Sequence, residues 1–309
     1  MNYALEIENL SKAYPSGVKA LEHLSCKVEA GSLFGFIGPD GAGKTTLFRI
    51  LTTLLLPDEG KVNLLGLDLI HDYKKIRQSL GYMPGQFSLY QDLSVEENLN
   101  FFAGVFKTNL ADNYHLIEDI YKQIEPFKHR RAGKLSGGMK QKLALSCALI
   151  HKPQMLFLDE PTTGVDAVSR KEFWQMLHKL RDGGLTIIVS TPYMDEAALC
   201  DQVALIQKGK ILSINTPQEI IKSFPLQLFA LKSTDNYPLL KVLQAEESVH
   251  SVWLFGESLH LSLKGNLSIE SFEADINRRF PQLTFEVEEI EAGIEDCFME
   301  LMYSHGNRS

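Results

Sequence analysis

The stretch "GPDGAGKT", Gly38 to Thr45, sets glycines at 38, 41 and 43 among Pro39, Asp40 and Ala42, then continues into Lys44, Thr45 and Thr46. Residue types in this order suit the holding of phosphate. Glycines let successive backbone N–H groups turn inward as an anion nest. A helix starting at the lysine would direct its positive end at the same point. Lys44 has the reach for β- and γ-phosphates, and the Thr45 hydroxyl suits a Mg²⁺ ion. A second stretch, "MLFLDEP" (Met155 to Pro161), reads as a buried strand carrying two acids at its end. Asp159 at the tip suits a Mg²⁺-bound water, and Glu160, one step on, suits a base that orients an attacking water. A third, "LSGGMKQ" (Leu135 to Gln141), opens a helix with Ser136, Gly137 and Gly138. That makes another anion-facing N-terminus, although a plain N-cap turn accounts for "SGG" taken alone.

The three stretches stand in the order phosphate loop, "LSGGMKQ", "LFLDEPTTGVD". This joint pattern resembles the ATP-binding cassette (ABC) ATPases over residues 2 to about 220, and more narrowly the ATP-binding subunits of multidrug and related export systems. The ending "IEDCFMEL" is similar, more weakly, to the close of their C-terminal extension. The resemblance implies ATP and Mg²⁺ as ligands, Tyr14 of "KAYPSG" stacked on adenine, and Asp166 of "TGVD" at a dimer interface. It also implies a head-to-tail pair of cassettes, homodimer or heterodimer, in which Ser136 and Gly138 of one chain cap the γ-phosphate held by the other. The partner it implies is a membrane permease in a separate chain, with this chain peripheral on the cytoplasmic face of the membrane.

Two places depart from the family pattern. After "LTIIVS" the family has a histidine that contacts the γ-phosphate; here "STPYMDEA" places Pro192 there, and a proline ring neither donates nor accepts a hydrogen bond. In "GYMPGQFSLY" the family's glutamine directly follows the proline; here Gly85 stands in that place and Gln86 is one residue late. A shift of one residue turns a side chain to the other face of an extended segment, so Gln86 reaches a Mg²⁺ ion only if the loop bends at Gly85. Thr191 and Tyr193 flank the proline and are the first donors to consider as replacements.

The elements that must position these groups are legible by pattern. "YALEIENLSKAYP", "GSLFGFIG", "GKVNLLGLDL", "IRQSLGYMP", "QMLFLDEP", "LTIIVS" and the hairpin "QVALIQKGKIL" read as strands. "LFRILTTLLL", "SVEENLNFFAGVF" and "GMKQKLALSCALI" read as helices, the second with Ser94 and Glu97 spaced as a capping box. Strands alternating with helices predict a largely parallel α/β sheet with a helical insertion at about residues 88–150. Beyond Thr216–Pro217 the pattern becomes βαββαβ, the split βαβ, ferredoxin-like order. The expected architecture is therefore α/β: a P-loop ABC cassette with a mixed, mainly parallel sheet over residues 1–222, then a small C-terminal α+β ferredoxin-like domain over 223–309.

Composition bounds the rest. With 309 residues, 44% hydrophobic and 23% charged, the chain can bury one large core and one small one. A formal net charge of −8 argues against wholesale nucleic-acid binding, and no nucleic-acid partner is expected. Cys26, Cys147, Cys200 and Cys297 lie far apart without a CxxC pair and read as reduced thiols. The start "MNYALEIENL" has no basic-then-apolar pattern, and no apolar run reaches the ~18–20 residues of a span. Trp253 and Phe255 read as sheet packing, and the nine histidines form no paired-ligand spacing. The leading reading is an ATP-hydrolysing subunit that powers an exporter. Its alternatives are a soluble ABC ATPase acting on ribosomes or nucleic acid, and a regulatory nucleotide-binding subunit with little turnover.

Overall fold

The computed structural model describes residues 2–85, 89–233, 235–265 and 267–306. The chain divides into two compact units, Met1–Pro217 and Gln218–Ser309. The first unit runs β1 (Tyr3–Ala13), β2 (Lys19–Glu29), β3 (Leu33–Ile37), α1 (Lys44–Leu51), β4 (Glu59–Leu64), β5 (Leu67–Asp68), α2 (Tyr73–Ser79) and β6 (Leu80–Met83). It continues with α3 (Val95–Val105), α4 (Leu110–Tyr121), α5 (Gly137–Leu149), β7 (Met155–Asp159), α6 (Ala167–Asp182), β8 (Thr186–Thr191), β9 (Gln202–Gln207) and β10 (Lys210–Asn215).

Two sheets carry this unit. The larger has the order β10-β9-β3-β8-β7-β6, with β3, β6, β7, β8 and β9 parallel and β10 antiparallel at the edge. Every residue of β3, β7 and β8 is buried, as expected for parallel strands covered on both faces. The carboxyl ends of β3, β7 and β8 therefore come side by side, and that edge is where ligands bind in open α/β sheets. Four phenylalanines tie the phosphate-loop helix to these strands. Phe48 of α1 meets Phe36 of β3 at 6.2 Å and Phe157 of β7 at 5.8 Å between ring centroids, both edge-on, and Phe34 lies 5.2 Å from Phe36. Each such pair adds ~0.5–1.5 kcal/mol beyond its buried area, so α1 is held rigidly behind the loop that leads into it.

The second sheet, β2-β1-β4-β5, is antiparallel throughout. This unit has two sheets where one was expected, and the structure corrects the strand readings at three places. β2, "KALEHLSCKVE", is a full strand that its sequence concealed: His23 sits at φ 50 and the pairing shifts register between Lys12–Leu21 and Leu10–Leu24, which breaks the alternation. "GKVNLLGLDL" is a hairpin of β4 and β5, turned at Leu65 and Gly66 with φ of 55 and 78. "IRQSLGYMP" is the end of α2 followed by a strand that starts only at Leu80. The β9–β10 hairpin does turn at Lys208–Gly209, with φ of 47 and 75.

The helical segment holds α3, α4 and α5. α3 begins with the capping box read from its sequence: Ser94 Oγ accepts from Glu97 N at 3.2 Å and Glu97 Oε2 accepts from Ser94 N at 2.7 Å. Asn98, buried, donates to the carbonyls of Tyr90, Leu93 and Ser94 and accepts from Tyr90 N, so its side chain pins the loop that enters α3.

The second unit runs α7 (Pro217–Lys222), β11 (Leu228–Ser233), α8 (Asn236–Gln244), β12 (Val249–Phe255), β13 (Ser258–Leu263), α9 (Ile269–Arg279), β14 (Phe285–Ile290) and α10 (Ile294–Gly306). Its antiparallel sheet has the order β12-β13-β11-β14. Leu231, Leu239, Leu243, Leu259, Leu261 and Ile276 make its core. The two units part between Pro217 and Gln218, at the start of α7, and within the second unit α7 meets α10: Cys297 Sγ lies 3.5 Å from the Ile220 carbonyl. All four cysteines are buried and free, and burial pushes the Cys26 thiol up to about 12 and Cys297 up to about 11.

Candidate functional site

The phosphate loop leaves β3 at Ile37 and enters α1 at Lys44. Gly41 and Gly43 have φ of 76 and 105, the left-handed values an anion nest needs. The start of the loop is tied to the neighbouring strand, with Gly38 N donating to the Thr191 carbonyl at 3.2 Å. Its turn is closed by Ala42 N to the Pro39 carbonyl, also 3.2 Å. Asp40 is exposed at the tip, Ala42 is buried beneath it, and Thr46 is buried in the first turn of α1.

Lys44 is buried, and its ammonium meets three acceptors: the carbonyls of Gly38 at 2.8 Å and Pro39 at 3.0 Å, and Glu160 Oε1 at 3.2 Å. Those three use all the donors an ammonium has. Thr45 Oγ1 lies 3.5 Å from Asp159 Oδ1. A cleft of about 730 Å³ opens here, lined by Thr45, Tyr82, Gly85, Asp159 and Glu160 among others. The Tyr82 hydroxyl beside it is held protonated, its pKa pushed up to about 12 by burial and then by the Asp159 charge. Thr45 and Asp159 supply hard oxygen donors at the mouth of a phosphate nest, a donor set that fits Mg²⁺.

Asp159 ends β7, and Glu160 follows at φ 51, an uncommon conformation for a glutamate. The Glu160 N–H meets the Ser190 carbonyl at 3.0 Å and Ser190 Oγ at 3.1 Å, and Ser190 Oγ donates to Asp159 Oδ1 at 2.5 Å. Ser190 stood outside the residues singled out by sequence. Its only signal is a serine directly after the apolar run Ile187 to Val189 of β8.

Gln86 lies outside the described residues. Its neighbour Gly85 makes a close approach: a Cβ there would come 3.0 Å from the Asp159 carbonyl oxygen. Glycine therefore lets this loop press on the end of β7, where a glutamine would crowd it.

Of the two residues flanking Pro192, Thr191 has its hydroxyl proton already engaged, which counts against its standing in for the histidine. Thr191 is buried; its hydroxyl donates to Glu196 Oε2 at 2.5 Å and accepts from Tyr193 N at 3.1 Å. The Tyr193 ring lies 5.3 Å beneath the Arg170 guanidinium. Glu196 is itself buried and accepts from Trp174 Nε1 at 3.0 Å, with Arg170 4.0 Å away.

Tyr14 sits beside α1, its hydroxyl 3.1 Å from Thr46 Oγ1. The "LSGG" stretch is built on other elements. Ser136 caps α5, accepting from Met139 N at 3.4 Å, and Ser136 and Gly137 are exposed. Gly138 faces α6 so closely that a Cβ would meet Ser169 Oγ at 2.6 Å, which is reason enough for glycine there. Asp166 caps α6, accepting from Val168 N at 3.1 Å and Ser169 N at 3.0 Å. The Ser169 N–H, foremost, holds its carboxyl below the usual range. Gln141 is buried and donates to the Pro161 carbonyl, joining α5 to the loop after Glu160.

The structure thus brings Lys44, Thr45, Asp159 and Glu160 together with Gly38 to Gly43. It sets Ser136, Gly137, Gly138 and Asp166 on the α5 and α6 starts, away from that nest in the fold's connectivity. Among the described residues no group of three or more His, Cys, Asp or Glu side chains could hold a metal ion, and no helix is long and apolar enough to cross a membrane.

The family model described as "ABC transporter" matches residues 21–163. A probable multidrug ABC transporter ATP-binding protein of Escherichia coli is 38% identical over 307 residues, 98% of this chain and 52% of that protein; the chain spans about half its length. The Nod factor export ATP-binding protein I of Mesorhizobium japonicum is 32% identical over 83% of this chain and 76% of that protein. Among solved structures, cbiO1 of Clostridium perfringens, part of an ABC transporter complex, superposes with a TM-score of 0.64 at 27% identity, covering 72% of this chain and 92% of that one. With the phosphate nest, the acid pair and the glycine-opened helix all in place, the chain belongs to the ATP-binding cassette family of transporter ATPases.

Proposed function

We propose that the chain binds ATP with Mg²⁺, hydrolyses it, and so powers export through a separate membrane permease. The observation that carries this is the convergence of Lys44, Thr45, Asp159 and Glu160 on one cleft beside the phosphate nest. Residues 38–46 hold the phosphates, with Lys44 on the β- and γ-phosphates. Thr45 and Asp159 hold the Mg²⁺ ion, which neutralises charge on the phosphates when bound, and Gln86 is a further candidate ligand. Glu160 orients the attacking water. Tyr14, held beside α1, stacks on adenine. The ammonium gives up Glu160 when it meets a γ-phosphate, which leaves that carboxylate free to face water.

The exposed N-termini of α5 and α6 complete a second chain's site: Ser136, Gly137 and Gly138 face the partner's γ-phosphate, and Asp166 lies at the interface. The second unit is ferredoxin-like, supported by its βαββαβ order and antiparallel β12-β13-β11-β14 sheet. Export is supported by the names of the relatives, multidrug and Nod factor export proteins. The permease seats on an apolar patch where Leu54 is 60% and Val105 58% exposed, beside Phe101 and Tyr90, whose rings pack at 4.5 Å. The working place is then the cytoplasmic face of the membrane. A second reading, a regulatory subunit with little turnover, is favoured by Pro192 and Gly85.

The test of the site is Lys44→Ala. It removes a charge-assisted contact worth ~1.5–3 kcal/mol, so calorimetry should find ATP binding weakened by about 10–100-fold. Unchanged affinity would remove the phosphate-loop assignment. Val105→Glu should leave hydrolysis by the isolated chain intact but abolish co-purification of a permease from solubilised membranes; retention of the permease would move the docking surface elsewhere.

A further inference from the structure

One hydroxyl stands between the two acids of the site. Ser190 is fully buried at the penultimate position of β8, paired in register with Asp159 of β7. Its proton goes to Asp159 Oδ1 at 2.5 Å, the short distance of a charge-assisted O–H···O⁻ bond. With its proton committed, the same oxygen accepts the Glu160 N–H at 3.1 Å. No water competes at a fully buried hydroxyl, so the direction of both bonds is set.

Each bond constrains something the chemistry needs. The carboxylate torsion of an aspartate is broad; a donor on Oδ1 sets its plane, with Thr45 Oγ1 3.5 Å from that oxygen. The backbone of Glu160 lies at φ 51, and its N–H is held there by the Ser190 hydroxyl and carbonyl together. That turn decides where the Glu160 side chain points.

We propose that Ser190 is a positioning residue that sets the Asp159 carboxylate for Mg²⁺ and the turn that aims Glu160. The inference rests on the ATPase reading above. Partners that orient a metal-binding carboxylate typically control 10–100-fold in metal affinity or activity.

The test compares ATP affinity with excess Mg²⁺ and with EDTA, by calorimetry, in the full chain and in Ser190→Ala, alongside turnover. In Ser190→Ala the metal-free affinity should stay as it is, while the gain in affinity conferred by Mg²⁺ and the turnover number each fall by about 10-fold or more. Ser190→Thr, which keeps the hydroxyl, should recover most of both. Ser146→Ala is the matched control, since Ser146 is also fully buried but its hydroxyl bonds only the Lys142 carbonyl; it should leave both quantities alone. Equal losses with and without Mg²⁺, or the same Mg²⁺-dependent loss in Ser146→Ala, would mean general disturbance and overturn the proposal. So would a Ser190→Ala chain that matches the unaltered one. Absence of any Mg²⁺-dependent ATP binding in the unaltered chain would instead bring down the ATPase reading, and the proposal with it.

Discussion

Glu160→Gln is expected to lower ATP turnover by about 10²–10⁴-fold, the range of a lost general base, and to trap an ATP-bound dimer. Glutamine has the same shape, and the backbone contacts that aim residue 160 come from Ser190 to its N–H, so they survive the change. The 3.2 Å pair with Lys44 loses its charge, which makes the ammonium more available to phosphate and favours retention of ATP. The trapped state should be a dimer because the chain has one phosphate nest and one "LSGG" segment, built on different elements, with Ser136, Gly137, Asp166 and Val168 exposed. Light scattering with ATP and Mg²⁺ should report twice the chain mass for the variant and a smaller dimer fraction for the unaltered chain. A variant that stays monomeric at high concentration would require a different cassette as partner, and a variant that still turns over ATP at the original rate would remove Glu160 from its role.

Pro192→His is expected to raise turnover by about 10²–10³-fold, with little change in ATP affinity, since one donor to a developing oxyanion is worth ~2.7–4 kcal/mol. The residue sits beside the phosphate loop: the preceding carbonyl, of Thr191, accepts from Gly38 N. The Thr191 side chain is not free to take over the missing contact. The Thr191 hydroxyl is spent on Glu196 and Tyr193 N, and the Tyr193 ring lies under Arg170. An imidazole at 192 would supply its bond mainly in the transition state, so kcat should move and KM should not. Pro192→Ala removes the ring's restriction of φ without adding a donor and separates loop freedom from chemistry. Histidine and alanine variants that behave alike, or an unaltered chain that already hydrolyses rapidly, would show that this position does not limit the enzyme.

The groups that bond through the backbone of their own segment were legible from residue order alone. Gly38 to Thr45 needs only glycine's φ freedom and a helix start, and the capping box at Ser94 and Glu97 needs only a spacing of three. The apolar runs Leu33 to Ile37, Met155 to Leu158 and Ile187 to Val189 announce β3, β7 and β8, because strands buried on both faces show no regular polar alternation. β2 escaped because a left-handed residue at His23 shifts the period midway, and α2 because a seven-residue helix runs into a strand without a break in composition.

By itself, then, the sequence determined the glycine-rich loop proposed to hold phosphate, the acid pair at the end of β7, the glycine-opened helix and a residue without a side-chain donor at Pro192. These depend on local backbone rules and on residue identity. Only the tertiary structure decided which groups meet. The parallel register of β7 with β8 puts the Ser190 hydroxyl between Asp159 and Glu160. The fold of the Met194–Leu199 turn sends Thr191 to Glu196 instead of towards the phosphate nest. The approach of residue 85 to the end of β7 leaves room for glycine where the family has glutamine. A hydroxyl bonds whichever acceptor packing places within about 3 Å, and residue order along one strand says nothing of what its neighbour strand or the turn beyond it will present there.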